Sequence, residues 1–270
     1  MKPTINRRAI FTLLLGAAAL CGSAVHADQL DKIMAAKKLR VAIDTATPPF
    51  AMKDDKLSLI GSDFETAKLM AKDLGLELEV VPTTLANRVP FLQTDKADLV
   101  ISAFSVTPER AKVVDFSVPY ASIQVVVAAP KNVSITSIAD LAGKKVISTR
   151  GTTNDQELSK IASPTTQIVR FDDDATTITA AVSGQADIVA TAPTIMKAIN
   201  EKSSAARQLE VKLTLKTNML AIGIRKGETK LKEKIDAWVR ANLKNGQLNS
   251  VYKKYHGTDL PAEVTQATGG

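Results

Sequence analysis

The stretch from Ala97 to Tyr120, ADLVISAFSVTPERAKVVDFSVPY, constrains this chain most. Leu99, Val100 and Ile101 form a short apolar run of the kind buried on both faces of a parallel sheet. The run then breaks into Ser102, Ala103, Phe104, Ser105, Val106 and Thr107, small or hydroxylic at most positions. Pro108 is suited to the first position of a helix, so Thr107 reads as its N-cap. Arg110 then falls in the first turn, where the macrodipole disfavours a cation. A positive charge among free N–H groups at the end of a sheet strand is well placed to hold an anion such as a carboxylate. Pairing with an acidic neighbour such as Asp115 is the alternative.

The preceding segments complete a β-α-β-α-β unit. Leu39 to Ile43 reads as a strand, followed by the loop Asp44-Thr45-Ala46-Thr47-Pro48-Pro49-Phe50. Ser62 and Glu65 have capping-box spacing, and Phe64, Ala67, Met70, Ala71 and Leu74 form a helical stripe that Gly75 terminates. Leu78 to Val81 is the second strand, and Asn87 to Gln93 the second helix. This order predicts a mainly parallel sheet with its βα loops gathered at one edge.

The sequence then echoes itself. ADLVISA at 97–103 returns as ADIVATA at 186–192, and RVAI at 40–43 has a counterpart in KVIS at 145–148. Thr153 and Gln156 offer a second capping box after Arg150-Gly151-Thr152. Chance likeness between two strand–helix junctions is the bland explanation. Two similar α/β lobes with a ligand held between them is the other. Strands at Ile123–Ala129 and Met219–Ile224 would be the crossing points, making the second lobe an insertion in the first. A helix over Lys230 to Leu243 places Trp238 in the core, and Gln247 to Tyr255 is a last helix.

Residues 1–27 carry Lys2, Arg7 and Arg8, an apolar Ala9–Leu20 core and a Val25-His26-Ala27 cleavage site, so they read as a secretory signal peptide cleaved after Ala27. Cys21 raises a lipoprotein reading that the large Leu20 weakens, and Arg7-Arg8 leaves Sec and twin-arginine export both open. Cleavage removes the single cysteine and lowers the net charge of +7 by three, to +4. A mildly basic surface with 4% aromatic residues is not a nucleic-acid footprint.

The chain resembles a known family at Thr47-Pro48-Pro49-Phe50, Gly61-Ser62-Asp63-Phe64, Thr107-Pro108-Glu109-Arg110, Asp115-Phe116-Ser117-Val118-Pro119-Tyr120 and Arg150-Gly151-Thr152-Thr153. These look like the polar amino-acid-binding proteins of bacterial ABC importers, the extracellular solute-binding proteins of family 3. The resemblance spans essentially all of Leu39 to Gly257. It implies an α/β fold of two Rossmann-like lobes joined by two hinge strands, the type II periplasmic binding protein. It also implies a periplasmic location, closure over one small ligand without a cofactor, and delivery to an inner-membrane permease. The expected layout is lobe 1 at 28–127 and 219–260, lobe 2 at 128–218, and a disordered tail at 261–270. A monomer is expected.

In that family the Arg of the Thr-Pro-Glu-Arg motif binds the ligand's α-carboxylate, a role that falls on Arg110 and on the backbone of Thr152 and Thr153. Ser102, Ala103 and Ser105 match positions that bind through hydroxyls and backbone. The usual lobe 2 aspartate is absent: Ala192 stands there, so Asp174 or Asp44 takes over, or the ligand has no ammonium. Thr47 and Leu85 replace frequent aromatics, leaving Phe50 as the nearest ring. Arg88, in Asn87-Arg88-Val89-Pro90, resembles the side-chain carboxylate anchor of glutamate/aspartate binders, or is a solvated helix residue. The candidate ligand-binding set is therefore Asp44, Phe50, Arg88, Ser102, Ala103, Ser105, Thr107, Arg110, Thr152, Thr153, Asp174 and Thr191. Asp172-Asp173-Asp174 lacks the glycine and distal glutamate of a calcium loop, so no metal is expected. A dehydratase-like enzyme on the same fold, a receptor for a non-amine carboxylate, and a sensory domain are the rival readings. Ala192 replaces the acid that such dehydratases use, and no acid/base pair offers itself.

Overall fold

The structure, a computed structural model, describes residues 28–267. The expected signal peptide lies outside the described residues. Helix α1 (Gln29–Ala36) leads into β1 (Lys38–Ile43), and the hairpin β2 (Met52–Lys53) and β3 (Leu59–Ile60) precedes α2 (Ser62–Leu74). Then come β4 (Glu77–Pro82), α3 (Arg88–Gln93), β5 (Leu99–Val100) and α4 (Pro108–Ala111). The 17-residue β6 (Val114–Pro130) carries the chain onward to β7 (Lys145–Thr149), α5 (Thr153–Ile161), β8 (Gln167–Phe171) and α6 (Asp174–Val182). After β9 (Ile188–Thr191) and α7 (Pro193–Lys202), the equally long β10 (Leu209–Arg225) returns to α8 (Thr229–Lys244), α9 (Gln247–His256) and α10 (Ala262–Ala267).

Eight strands form one sheet in the order β4-β1-β5-β10-β6-β9-β7-β8. The strands β4, β1 and β5 are parallel, as are β8, β7 and β9. Between the two triplets β6 and β10 run antiparallel to each other along most of their length. The sequence echo is thereby structural: β1 corresponds to β7, and β5 to β9, at mirrored places in the strand order. The expected hinge segments are parts of these two longer strands.

Inner strands are covered on both faces, which is why they read as unbroken apolar runs. Leu39, Val41 and Ile43 of β1 enter one core with Met70, Ile222 and Ile235, while Ala42 between them packs with Leu92, Val100 and Phe104 on the other face. The second triplet repeats this, with Ile147 and Val146 assigned to opposite cores. Trp238 is buried as expected, its indole N–H donating to Asp73 at 2.9 Å.

Three local expectations are corrected. Gly61, not Ser62, caps α2, without a side-chain bond; an added Cβ would lie 2.3 Å from the Phe50 carbonyl. Thr152, one residue before Thr153, caps α5 by accepting from the Asp155 N–H. Residues 262–267 of the tail expected to be disordered form α10, whose Val264 is fully buried and which packs on β6. Val264, with Leu260 just before the helix, provides the burial that a short polar helix needs.

Candidate functional site

The ends of β1, β5, β7 and β9 bring the predicted loops together. A cavity there is lined by Thr47, Phe50, Leu85, Arg88, Ala103, Ser105, Ile123, Thr152, Thr153, Asn154, Asp174, Ala192, Thr194 and Ile195. Of the sequence-predicted set, Phe50, Arg88, Ala103, Ser105, Thr152, Thr153 and Asp174 reach its wall. Asp44, Ser102, Thr107, Arg110 and Thr191 are buried but are not among its lining residues, and Arg110 adjoins the wall through its bond to the Ser105 carbonyl.

Arg110 follows the expected local logic. Thr107 caps α4 by accepting from the Arg110 N–H at 3.2 Å, so the threonine hydroxyl serves the helix. The Arg110 guanidinium is buried and donates to the carbonyls of Ser105 at 2.8 Å and Gly151 at 3.0 Å. Asp115 is not its partner: that carboxylate accepts from Lys226 and the Gly227 N–H. Among the described residues no carboxylate forms an ion pair with Arg110. Burial, with the Arg88 charge added, pushes its pKa down to about 8. Both guanidiniums lie over the ring of Phe104, at 4.8 Å for Arg110 and 5.1 Å for Arg88.

Arg88 is buried rather than solvated, and backbone carbonyls hold its guanidinium at the cavity wall. Its Nε donates to Leu85, Nη1 to Ser102 and Ala103, and Nη2 to Gly151, all backbone carbonyls at 2.8–3.0 Å. Burial lowers its pKa to about 10, while Asp44, Asp174 and Asp63 hold it charged. Its bonds thus join the loop after β5 to the loop after β7.

The backbone at Ser102 and Ala103 is likewise committed. Ala103 adopts φ +43°, uncommon for a residue with a Cβ. Its N–H donates to Asp63 at 2.6 Å, and its carbonyl accepts from Arg88. The other Asp63 oxygen accepts from Tyr120 at 2.7 Å. Burial pushes Asp63 up to about 6, against the pull of the Tyr120 and Ala103 bonds. The Ser102 hydroxyl accepts from the Asp44 N–H. Thr191 lies within β9, paired in register with Val126.

Two acids remain near the cavity. Asp174, at the start of α6, accepts from Thr149 at 2.6 Å, and Asp173 caps the helix. Burial pushes Asp174 up to about 6. Asp44 is also raised by burial, against the pull of the Ala46 and Leu85 N–H groups and of the Arg88 charge. The Thr194 hydroxyl is buried without a hydrogen-bond partner, while that of Thr47 faces Asp174 and helps hold its pKa down.

Sequence reasoning missed Ile123, Asn154, Thr194 and Ile195 as lining residues. The strand–Pro–helix step Ala192-Pro193 copies Thr107-Pro108 and signals the last two. Among the described residues no cluster of His, Cys, Asp and Glu could hold a metal ion, and no helix is long and apolar enough to cross a membrane.

Two halves of one sheet, joined by a pair of long strands with a charged cavity between their loops, define a two-lobed solute receptor of the type II periplasmic binding class. The chain belongs to the bacterial extracellular solute-binding proteins, family 3, which it matches over residues 39–258. It is 30% identical to the ABC transporter glutamine-binding protein GlnH of Bacillus subtilis, over 94% of this chain and 96% of that protein. The solute receptor for L-cysteine of Neisseria gonorrhoeae superposes with a TM-score of 0.77 at 31% identity, covering 85% of this chain and 93% of that one. An ancestral amino acid-binding protein, described as a precursor of cyclohexadienyl dehydratase, has a TM-score of 0.75 at 34% identity, covering 84% and 98%.

Proposed function

We propose that this protein is the periplasmic receptor of an ABC importer for a small α-amino acid, closing two lobes over it and delivering it to an inner-membrane permease. Arg110 takes the carboxylate and Asp174 the ammonium. The observation that carries the reading is the buried Arg110 guanidinium, which has carbonyl partners but no paired carboxylate among the described residues. A buried cation without a counterion is costly, and a ligand carboxylate bound by charge-assisted bonds offsets that cost. A guanidinium has five donors, so two carbonyl bonds leave the capacity for a carboxylate.

Asp174, on the cavity wall, supplies the negative charge that Ala192 does not. The engagement of Arg88 by four carbonyls removes the motive for a second ligand carboxylate, so a neutral amino acid is favoured over an acidic one. The receptor names of the relatives agree with a binding role, and no catalytic residue is assigned. The protein acts as a monomer in this reading, exported by the signal peptide at 1–27. A thermal-shift screen of L-amino acids and amine-free dicarboxylates against the exported protein tests it. A ligand at 100 times its Kd adds about 2.7 kcal/mol of stability. Stabilisation by an α-amino acid is the expected result; stabilisation by dicarboxylates alone would overturn the assignment of Asp174.

A further inference from the structure

Phe50 stands on the cavity wall yet is held from behind by a side chain that touches no part of that cavity. His256, at the end of α9, meets the Phe50 ring edge-on, with centroids 4.8 Å apart at 67°. The imidazole is also stacked on Tyr252, 3.9 Å away and within 5° of parallel. Its Nε2 is hydrogen-bonded to the Ser62 hydroxyl at 3.0 Å, which fixes the ring's rotation. Its Nδ1 is buried without a partner. The three rings thus form a column, Tyr252–His256–Phe50, anchored on α9 and ending at the ligand cavity.

What lies beyond the column gives it consequence. A second cavity, bordered by Phe50, Ile123, Thr194, Tyr252 and His256, adjoins the ligand cavity across Phe50, Ile123 and Thr194. A third, bordered by Pro48, Met52, Thr194, Lys197 and His256, also adjoins the imidazole. Thr194 borders all three. Phe50, Ile123 and Thr194 therefore stand between the ligand cavity and the second space, and Phe50 is the one of the three whose ring is in contact with His256.

We propose that His256 is a positioning residue for ligand specificity: by holding the Phe50 ring in place, it closes the ligand cavity on one side and limits the length of the amino-acid side chain admitted. This rests on the reading of the cavity as an amino-acid site. Removing the imidazole lets Phe50 swing back and joins the ligand cavity to the space beyond.

The test is a calorimetric profile of the exported protein across L-amino acids of increasing length: alanine, serine, cysteine, glutamine, methionine and arginine. His256→Ala should shift the profile toward the longer members by tenfold or more relative to the shorter. Phe50→Ala should produce the same shift, and His256→Phe, which restores a ring, should return the profile toward that of the unmodified protein. A merely structural role for His256 predicts lower thermal stability and an unchanged profile, and that result would overturn the inference while leaving the receptor reading intact. If the unmodified protein binds none of the series, the receptor reading falls and takes the inference with it. Should His256→Ala fail to fold, Phe50→Ala and Phe50→Leu carry the test, and an unchanged profile in both overturns it.

Discussion

The Arg110 guanidinium donates to the carbonyl of Gly151 at 3.0 Å, a bond that ties the helix after β5 to the loop after β7. The same oxygen accepts from Arg88 at 3.0 Å. Two buried cations converge on one carbonyl, which concentrates positive charge between the loop after β5 and the loop after β7.

Close approach at Gly151 is the first point at which this can be tested. Its φ is +77°, and an added Cβ would lie 2.6 Å from the Ala86 Cα. Backbone cannot yield as a flexible side chain would, and the left-handed region costs a non-glycine residue about 1–2 kcal/mol. Gly151→Ala should therefore weaken ligand binding at least tenfold while each half of the sheet stays folded. Small-angle scattering checks the cause: the variant's radius of gyration should remain that of the open form at ligand concentrations that compact the unmodified protein.

Asp63 orders the cavity without lining it. Removing its carboxylate by Asp63→Ala strands the Tyr120 hydroxyl and the Ala103 N–H, each at about 1–3 kcal/mol. The expected outcome is a loss of about 2 kcal/mol or more in urea denaturation, with weaker ligand binding because Ala103 no longer keeps its left-handed turn. Unchanged stability would show that Asp63 is dispensable.

The architecture was legible where local chemistry alone decides it. Thr107 and Pro108 announce α4, Gly75 ends α2, and the 97–103 and 186–192 echo places β5 and β9 at equivalent positions. The cap of α5 slipped by one because Thr152 and Thr153 are both competent, and only Asp155 makes the bond. Ser62 was misread because its hydroxyl serves a partner 194 residues away, His256. Arg88 shows the same limit. Whether a guanidinium meets carbonyls or solvent depends on loops 14 and 63 residues distant, and nothing in the neighbouring sequence encodes that.

Binding should also depend on pH through Asp174. An ammonium requires the ionised carboxylate, and burial raises this pKa to about 6. Below that value binding must first expel a proton, so affinity falls as the pH falls. Between pH 7 and pH 5 the ionised fraction drops about tenfold, and affinity should drop with it. Asp174→Asn should bind more weakly at pH 7 and lose most of this dependence. Affinity that rises on acidification would instead favour a ligand without an amine.

The central claim is that Arg110 recognises an α-carboxylate, and one calorimetric comparison addresses it directly. The amino acid that the exported protein binds best is titrated alongside its α-carboxamide, against the unmodified protein and Arg110→Gln. The unmodified protein should prefer the acid by tenfold or more, about 1.4 kcal/mol, and Arg110→Gln should lose this preference while remaining folded. An equal preference for the acid in both proteins would contradict it.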